Sequence, residues 1–318
     1  MKTLRILHIE NQAGVPYSIS EGQKQLGHDS KVLETYRGFV NEPHDFELYY
    51  GGNLEILKNL RNLSNVIKLA KGYDLIHLHG GVHWKRVDAL AIRKILRKPM
   101  VVHYHGSETR QGYGLHYRNL WKVKLVSRPD LLEWLPEARF IRSPIAGILR
   151  KELPEYPLKV LHMYHNPKTK GSGAIIRVLE SLKKEGLDFE YEIIIKKPHE
   201  EALKAIARSH IVIDQFLDRE KDRIPSVIGM ISLESMAMGR AVISTMDTKY
   251  RQYYPECPVV YCEPNEADLA EGIRRIADEP GVLRHLVESG VKYVNEYHSP
   301  LKTAKELDSI YSQILPPR

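Results

Sequence analysis

Short apolar runs alternate with amphipathic stretches along the whole chain. That pattern is expected when parallel strands are buried on both faces beneath helices. In the first half, LRILHI, DLIHLH, MVVHYH and KLVS predict strands, and residues 54 to 70 and 85 to 97 repeat apolar positions at helical spacing. Three prolines then interrupt RSPIAGILRKELPEYPL, residues 142 to 158, which reads as a linker. The cycle restarts with strands KVLHMY, YEIIIK, HIVIDQ and AVIST, separated by helices over about 173 to 184, 199 to 208, 230 to 238 and 265 to 278. Ser299-Pro300 followed by apolar Leu301, Ala304, Leu307, Ile310 and Tyr311 predicts a closing helix. The expected fold class is α/β, with two doubly wound Rossmann-like domains at residues 1–145 and 159–298. A linker at 146–158 joins them, and a terminal helix at 299–318 closes the fold.

The length of 318 residues supports this division, since a single domain runs to roughly 150. Hydrophobic residues at 42% and charged residues at 27% are those of an ordinary globular protein. No run approaches the ~18 apolar residues of a membrane span, and MKTLRILHIE lacks a small-residue cleavage site, so a cytoplasmic protein is expected. The net charge of +7 favours anionic partners. The basic residues are scattered and no recognition motif accompanies them, which argues against nucleic acid. Cys257 and Cys262, five positions apart in CPVVYC, face opposite ways on a strand and predict neither a disulfide nor a metal pair.

In open parallel sheets, ligands bind beyond the carboxyl ends of the strands. The unusual residues gather there: Asn11 to Gly14, His79-Gly80-Gly81, His105-Gly106, Asn166 to Gly173 and Asp214-Gln215 each follow a predicted strand. Glu234 is the one charged residue in IPSVIGMISLESMAMG, residues 224 to 239. A carboxylate so placed on a helix from Met230 to Gly239 is expected to be largely buried and to need a strong partner. Ligand hydroxyls would serve; the alternatives are solvent or Arg240. Lys170 stands before Gly171-Ser172-Gly173 and a helix start, where exposed amides and the helix dipole favour an anion, with Lys168 as a second cation. A solvated basic turn is the plainer reading. The dinucleotide fingerprint and the Walker loop are both absent, against dehydrogenase and kinase readings.

Over nearly its whole length the chain resembles the GT-B-fold glycosyltransferases of the retaining group 1, or family 4, class. The residues that carry the likeness are the Gly14 loop with SISEGQKQLGHDSKVL, DLIHLHGG, VVHYHGS, the KG of NPKTKGSG, and IGMISLESMAMGRAVIST. The resemblance implies two domains facing across a cleft, with the N-terminal one on the acceptor side and the second binding a nucleotide sugar. It makes Glu234 the holder of the donor ribose, Lys170 the holder of the diphosphate, and His105 the residue beside the sugar and the catalytic candidate. Gly14, Lys168, Gly229 and Met230 complete the expected nucleotide-sugar site. The implied reaction moves a sugar from a nucleoside diphosphate sugar to a sugar or lipid-linked acceptor, with retention and with neither metal nor cofactor.

Two positions depart from the family pattern. Ser226 stands where many members have a second Glu, eight residues before the first, and His165 stands where an Arg usually precedes the Lys by five; Lys168 or Arg223 could replace that Arg. A catalytically silent sugar-nucleotide-binding protein and a sugar-nucleotide epimerase are therefore alternatives. Lys58, Arg61 and Lys68 on one helix, and Lys85, Arg86, Arg93, Lys94, Arg97 and Lys98 around another, mark either a solvated face or a surface for peripheral association with the inner face of a membrane.

Overall fold

The computed structural model describes residues 3–36, 43–52, 54–80, 87–110 and 121–315. Gly81, Lys85 and Arg86, singled out above, lie outside them. By contact the chain divides into two units, Met1–Ala146 with His298–Arg318, and Gly147–Tyr297.

The first unit runs β1 (Arg5–Ile9), α1 (Val15–Gln25), β2 (Asp29–Glu34), β3 (Phe46–Glu47), α2 (Ile56–Lys71), β4 (Leu75–His79), α3 (Val87–Ala91), β5 (Met100–Tyr104), α4 (Ser107–Arg110), β6 (Val123–Val126) and β7 (Arg139–Phe140). Its strands form one parallel sheet in the order β3-β2-β1-β4-β5-β6-β7. The order reverses beside β1, as doubly wound sheets require. The described part of the stretch predicted as a helix over 85 to 97 is α3 followed by a wider turn, Ile92–Leu96, which ends with Arg97 at φ 49°.

Alternation along each strand gives this sheet two chemically different faces. Leu7, Ile9, Ile76, Leu78, Val102 and Tyr104 point to one side and pack with Val66 and Ala70 of α2 in an apolar core. The other side carries His8, His77, His79 and His103, all fully buried, with the register pairing His8 to His77 and His79 to His103.

The second unit runs β8 (Leu158–Tyr164), α5 (Ser172–Lys184), β9 (Phe189–Ile195), α6 (His199–Ala207), β10 (Ile211–Ile213), α7 (Arg219–Asp222), α8 (Met230–Ala237), β11 (Ala241–Ser244), β12 (Val260–Tyr261), α9 (Glu266–Asp278) and α10 (Pro280–Tyr297). Its parallel sheet has the order β12-β11-β10-β8-β9, with the switch between β8 and β10. Val160, Ile175, Leu179, Ile211, Ile243 and Ile273 lie at the centre of its core. Cys257 and Cys262 are both buried and free.

The last helix, α11 (Pro300–Tyr311), was expected as a separate closing element; it belongs to the first unit. Ser299 caps it, and Ala304, Leu307, Ile310 and Tyr311 are buried. It lies on α1 so closely that a Cβ at Gly22 would stand 2.0 Å from the carbonyl oxygen of Pro300.

Candidate functional site

In the second unit the switch point brings the carboxyl ends of β8 and β10 side by side, and there Lys170 meets Asp214. Lys170 Nζ donates to Asp214 Oδ1, the carboxylate is fully buried, and Ser232 Oγ donates to its Oδ2 at 2.6 Å. Gly229, which caps α8, is small for a reason: a Cβ there would come within 2.9 Å of Asp214 Oδ2. The loop itself is clamped to the next strand connection. Phe216 N–H donates to Lys170 O at 2.9 Å, and Gly171 takes φ 65° with its missing Cβ directed at Phe216 O, only 1.7 Å away. Only glycine satisfies both the positive φ and the close approach.

The first intrahelical donors of α5 are Ala174 and Ile175, which both reach Gly171 O, so the amides of Ser172 and Gly173 precede the ladder at the positive end of the helix dipole. Beneath them His162 donates from Nδ1 to Ile213 O and accepts from Ser172 Oγ, each at 2.8 Å. Burial lowers its pKa to about 4 against the raising effect of the Ile213 bond, so the ring is neutral. Lys170 is thus the cation held at the loop, while Lys168, His165 and Arg223 are exposed. A cavity of about 850 Å³ lies beside Lys168, Gly173 and Phe216, but its lining includes neither Lys170 nor Glu234.

Glu234 is nearly buried on α8, as its apolar neighbours require. The helix ends in a Schellman motif, with Gly239 N–H donating to Met236 O and Arg240 N–H to Ser235 O, and with Gly239 at φ 75°. Neither of the alternatives open from the sequence, solvent or Arg240, describes Glu234. Its Oε1 is hydrogen-bonded to His199 Nε2 at 2.8 Å. Arg240, fully buried, donates instead to the carbonyls of Ile206, Gly239, Glu152 and Ala207 at 2.8–3.3 Å, and desolvation lowers its pKa to about 10. Met230, the first residue of α8, is half-buried. Ser226 is turned inward: its Oγ donates to Thr245 O at 2.8 Å and accepts from Gln215 Nε2 at 2.9 Å. A side chain so engaged does not stand in for the second Glu of the family pattern.

In the first unit, Gly14 caps α1 at φ 66° and is buried. His105, one residue past β5, has both ring nitrogens in hydrogen bonds: Nδ1 to Ser127 Oγ at 3.1 Å and Nε2 to His79 Nδ1 at 2.9 Å. The chain continues from His79 Nε2 to His8 Nδ1 at 2.8 Å and from His8 Nε2 to Gln23 Oε1 at 2.8 Å. Since the Gln23 carbonyl accepts, His8 donates from Nε2, and each ring upstream donates from its own Nε2 to the next. These directions hold for neutral imidazoles, and burial keeps them so, holding His105 at about 3, His8 at about 4 and His79 well below its ordinary value. Tyr311 of α11 bonds His77 Nδ1 at 2.7 Å. His103 has no hydrogen-bond partner on either nitrogen, nor has His77 on Nε2. An orphaned buried group of this kind costs about 1–3 kcal/mol.

The sequence reading placed His105 and Gly14 at this edge but missed the histidine ladder behind them and, in the second unit, His199. The signal was present: H-x-H in both DLIHLHG and VVHYHG puts two imidazoles on one face of each strand, and His199 opens a helix directly after a strand's carboxyl end.

Residues 15–144 match the family model described as Glycosyltransferase Family 4. A search of curated proteins by sequence returns no match. Solved structures do match over the full length. Anabaena HepE in complex with UDP and glucose has 13% identity and a TM-score of 0.68, covering 97% of this chain and 99% of that one. The glycosyltransferase of Rickettsia africae ESF-5 has 14% identity, a TM-score of 0.67 and complete coverage of both chains. Sucrose-phosphate synthase of Thermosynechococcus elongatus has 16% identity and a TM-score of 0.65, covering 97% and 98%. At such identities the structural likeness is one of fold, and the family match covers residues 15–144. The chain has the GT-B fold of these structures, and its first unit carries the match to Glycosyltransferase Family 4. In this chain the polar clusters of both units lie at the carboxyl edges of their sheets, at or beside the switch points. Among the described residues no helix is long and apolar enough to cross a membrane.

Proposed function

We propose that the chain is a group 1 glycosyltransferase that takes a sugar from a nucleoside diphosphate donor and passes it to an acceptor with retention, the diphosphate being carried by protein groups in place of a metal. The observation that supports this most is the junction of Lys170, Asp214 and Ser232 at the second unit's switch point, beside the N-terminus of α5. A fixed cation and a helix dipole aimed at a leaving diphosphate stabilise the charge that develops on it. Glu234, kept near-buried and oriented by His199, would accept from the ribose hydroxyls. HepE, of the same fold, holds UDP and glucose. His105 would act as a neutral positioning group on the acceptor-side unit, its ring angle set by Ser127 and His79.

The test is calorimetry and turnover with Glu234→Gln. Losing one charged hydrogen-bond partner is worth roughly 1.5–3 kcal/mol, so affinity for the preferred nucleoside diphosphate should fall about tenfold or more. Unchanged affinity removes Glu234 from the ribose site. Sugar transfer that needs an acceptor supports the transferase reading. Isomerisation of donor alone would favour an epimerase, and binding without any turnover a silent binder.

A lipid-linked acceptor is favoured by one further observation. Leu57 is 85% exposed and Ile56 and Leu60 about half so, alongside Lys58, Arg61 and Lys68 on α2, with Leu54 bare just ahead of it. An apolar strip edged with cations suits an anionic membrane surface, each cation adding about 1 kcal/mol. Replacing the three basic residues with Gln should lower recovery on anionic vesicles at low salt at least tenfold. Equal recovery on neutral and anionic vesicles by the parent enzyme would leave these charges as a solvated face.

A further inference from the structure

We propose that His79, His103 and His105 form a binding site for one borderline transition cation of the zinc class, at the carboxyl ends of β4 and β5. The site shares His105 with the positioning role given above, but it does not rest on that functional reading.

The sequence builds the cluster without any loop. Residues two apart on a strand share a face, so each H-x-H supplies two imidazoles on the same side. The parallel register then sets His79 beside His103. The rings lie over one another, with His79 to His105 at 5.1 Å, His103 to His105 at 4.6 Å and His79 to His103 at 5.5 Å between centroids. One nitrogen from each of the three lies within 4.8 Å of the others. Two nitrogens of a tetrahedral zinc stand about 3.4 Å apart, given bonds of 2.0–2.1 Å. His79 Nδ1 and His105 Nε2, now 2.9 Å apart, would separate slightly, and His103, whose nitrogen lies within 4.8 Å of both, would move in by about 1.4 Å at most.

Two observations point to a ligand here. His103 is fully buried, yet both of its nitrogens are orphans, and such a group calls for an ion or a water. The surrounding hydrogen bonds already form an outer shell for a cation. His79 donates from Nε2 to His8, and His8 to Gln23, which is how ligating imidazoles are usually held by their second nitrogen. Binding needs no proton to leave. The hydrogen on His105 Nε2 is replaced by the cation as His105 takes its other tautomer, Nδ1–H, and donates to Ser127 Oγ. The Ser127 hydroxyl, which had donated to His105, turns to Tyr104 O, 3.4 Å away.

A second triad, His8, His77 and His79, also brings three nitrogens together. It is the poorer site. His8 has both nitrogens engaged, in the bonds to His79 and Gln23, and all three rings are fully buried, whereas His105 is half-buried and gives the first triad an approach from the strand ends.

The experiment uses the full chain stripped with a chelator, titrated with zinc chloride against a chromogenic chelator and, in parallel, with cobalt(II) for the visible bands of tetrahedral coordination. His103→Leu and His79→Gln serve as variants. His103→Leu removes two orphaned nitrogens and should be at least as stable as the parent without metal, so a failure to fold does not obscure the result. The expected result is one high-affinity zinc per chain with tetrahedral cobalt bands, a zinc-dependent rise in melting temperature, and at least tenfold weaker binding in both variants. Surface histidines remain in the variants and register as common background. The proposal is overturned if the parent shows no zinc-dependent shift, or if His103→Leu binds zinc as tightly as the parent does.

Discussion

Lowering the pH from 7 to 5 is expected to unfold the first unit, with an uptake of about five protons. His8, His77, His79 and His103 are fully buried and His105 half-buried, and desolvation lowers every one of them, His8 to about 4, His105 to about 3 and the others well below the ordinary value. A histidine whose folded pKa lies below its unfolded value takes up its proton only on unfolding. Stability is therefore full above the unfolded value near 6.5 and is lost as pH falls beneath it. Each ring contributes up to about 1.4 kcal/mol per pH unit, so five give a loss on the order of 7 kcal/mol by pH 5.5 and 10 kcal/mol by pH 5. That is comparable with the whole stability of an ordinary domain, about 5–15 kcal/mol. Urea unfolding followed at several pH values reads the slope directly, and His103→Leu should lower it by one proton. A stability that stays flat between pH 7 and 5 would show that the rings are not held neutral in the fold.

Lys170→Ala is expected to have two separable effects. Removing the ion-pair partner of the fully buried Asp214 should destabilise the second unit by about 3–5 kcal/mol, because the carboxylate keeps its desolvation while losing its countercharge. The same change should abolish the preference for nucleoside diphosphate over nucleoside. Adding Asp214→Asn should restore most of the stability, since an amide needs no countercharge, but none of the preference. Denaturant unfolding reads the first effect and calorimetry with nucleoside and nucleoside diphosphate reads the second. A single variant as stable as the parent contradicts the buried ion pair, and one that still discriminates contradicts the phosphate role.

What was legible in the sequence is what periodicity and punctuation control. The strands that end at or lead to His79, His105, Lys170 and Asp214 are legible because each is a short apolar run closed by Gly, Asn or Asp. The α8 helix was bounded correctly at Met230 and Gly239, the glycine being needed for the positive φ of its Schellman end. The elements left unread are less regular. DSKVLE, the strand β2, opens on polar residues and resembles a loop, and the long α10 was not distinguished from its surroundings. Partners across elements could not be read either. The position of His199 at the start of a helix marks it as a candidate, but its partner could not be read, since its contact with Glu234 spans 35 positions. The histidine ladder depends on strand register, which fixes His8 beside His77 only once β1 and β4 are known to be neighbours.

The return of α11 to the first unit has a consequence for vectorial synthesis. The chain leaves that unit at Ala146 and re-enters it at His298, so the ribosome completes the second unit before the first has its last helix. At 5–20 residues per second the nascent first unit waits roughly 10–30 s with the flank of α1 uncovered and with His77 and Gln23 lacking the Tyr311 hydroxyl. The unit that emerges first therefore matures last, and during translation it is the natural client for a chaperone.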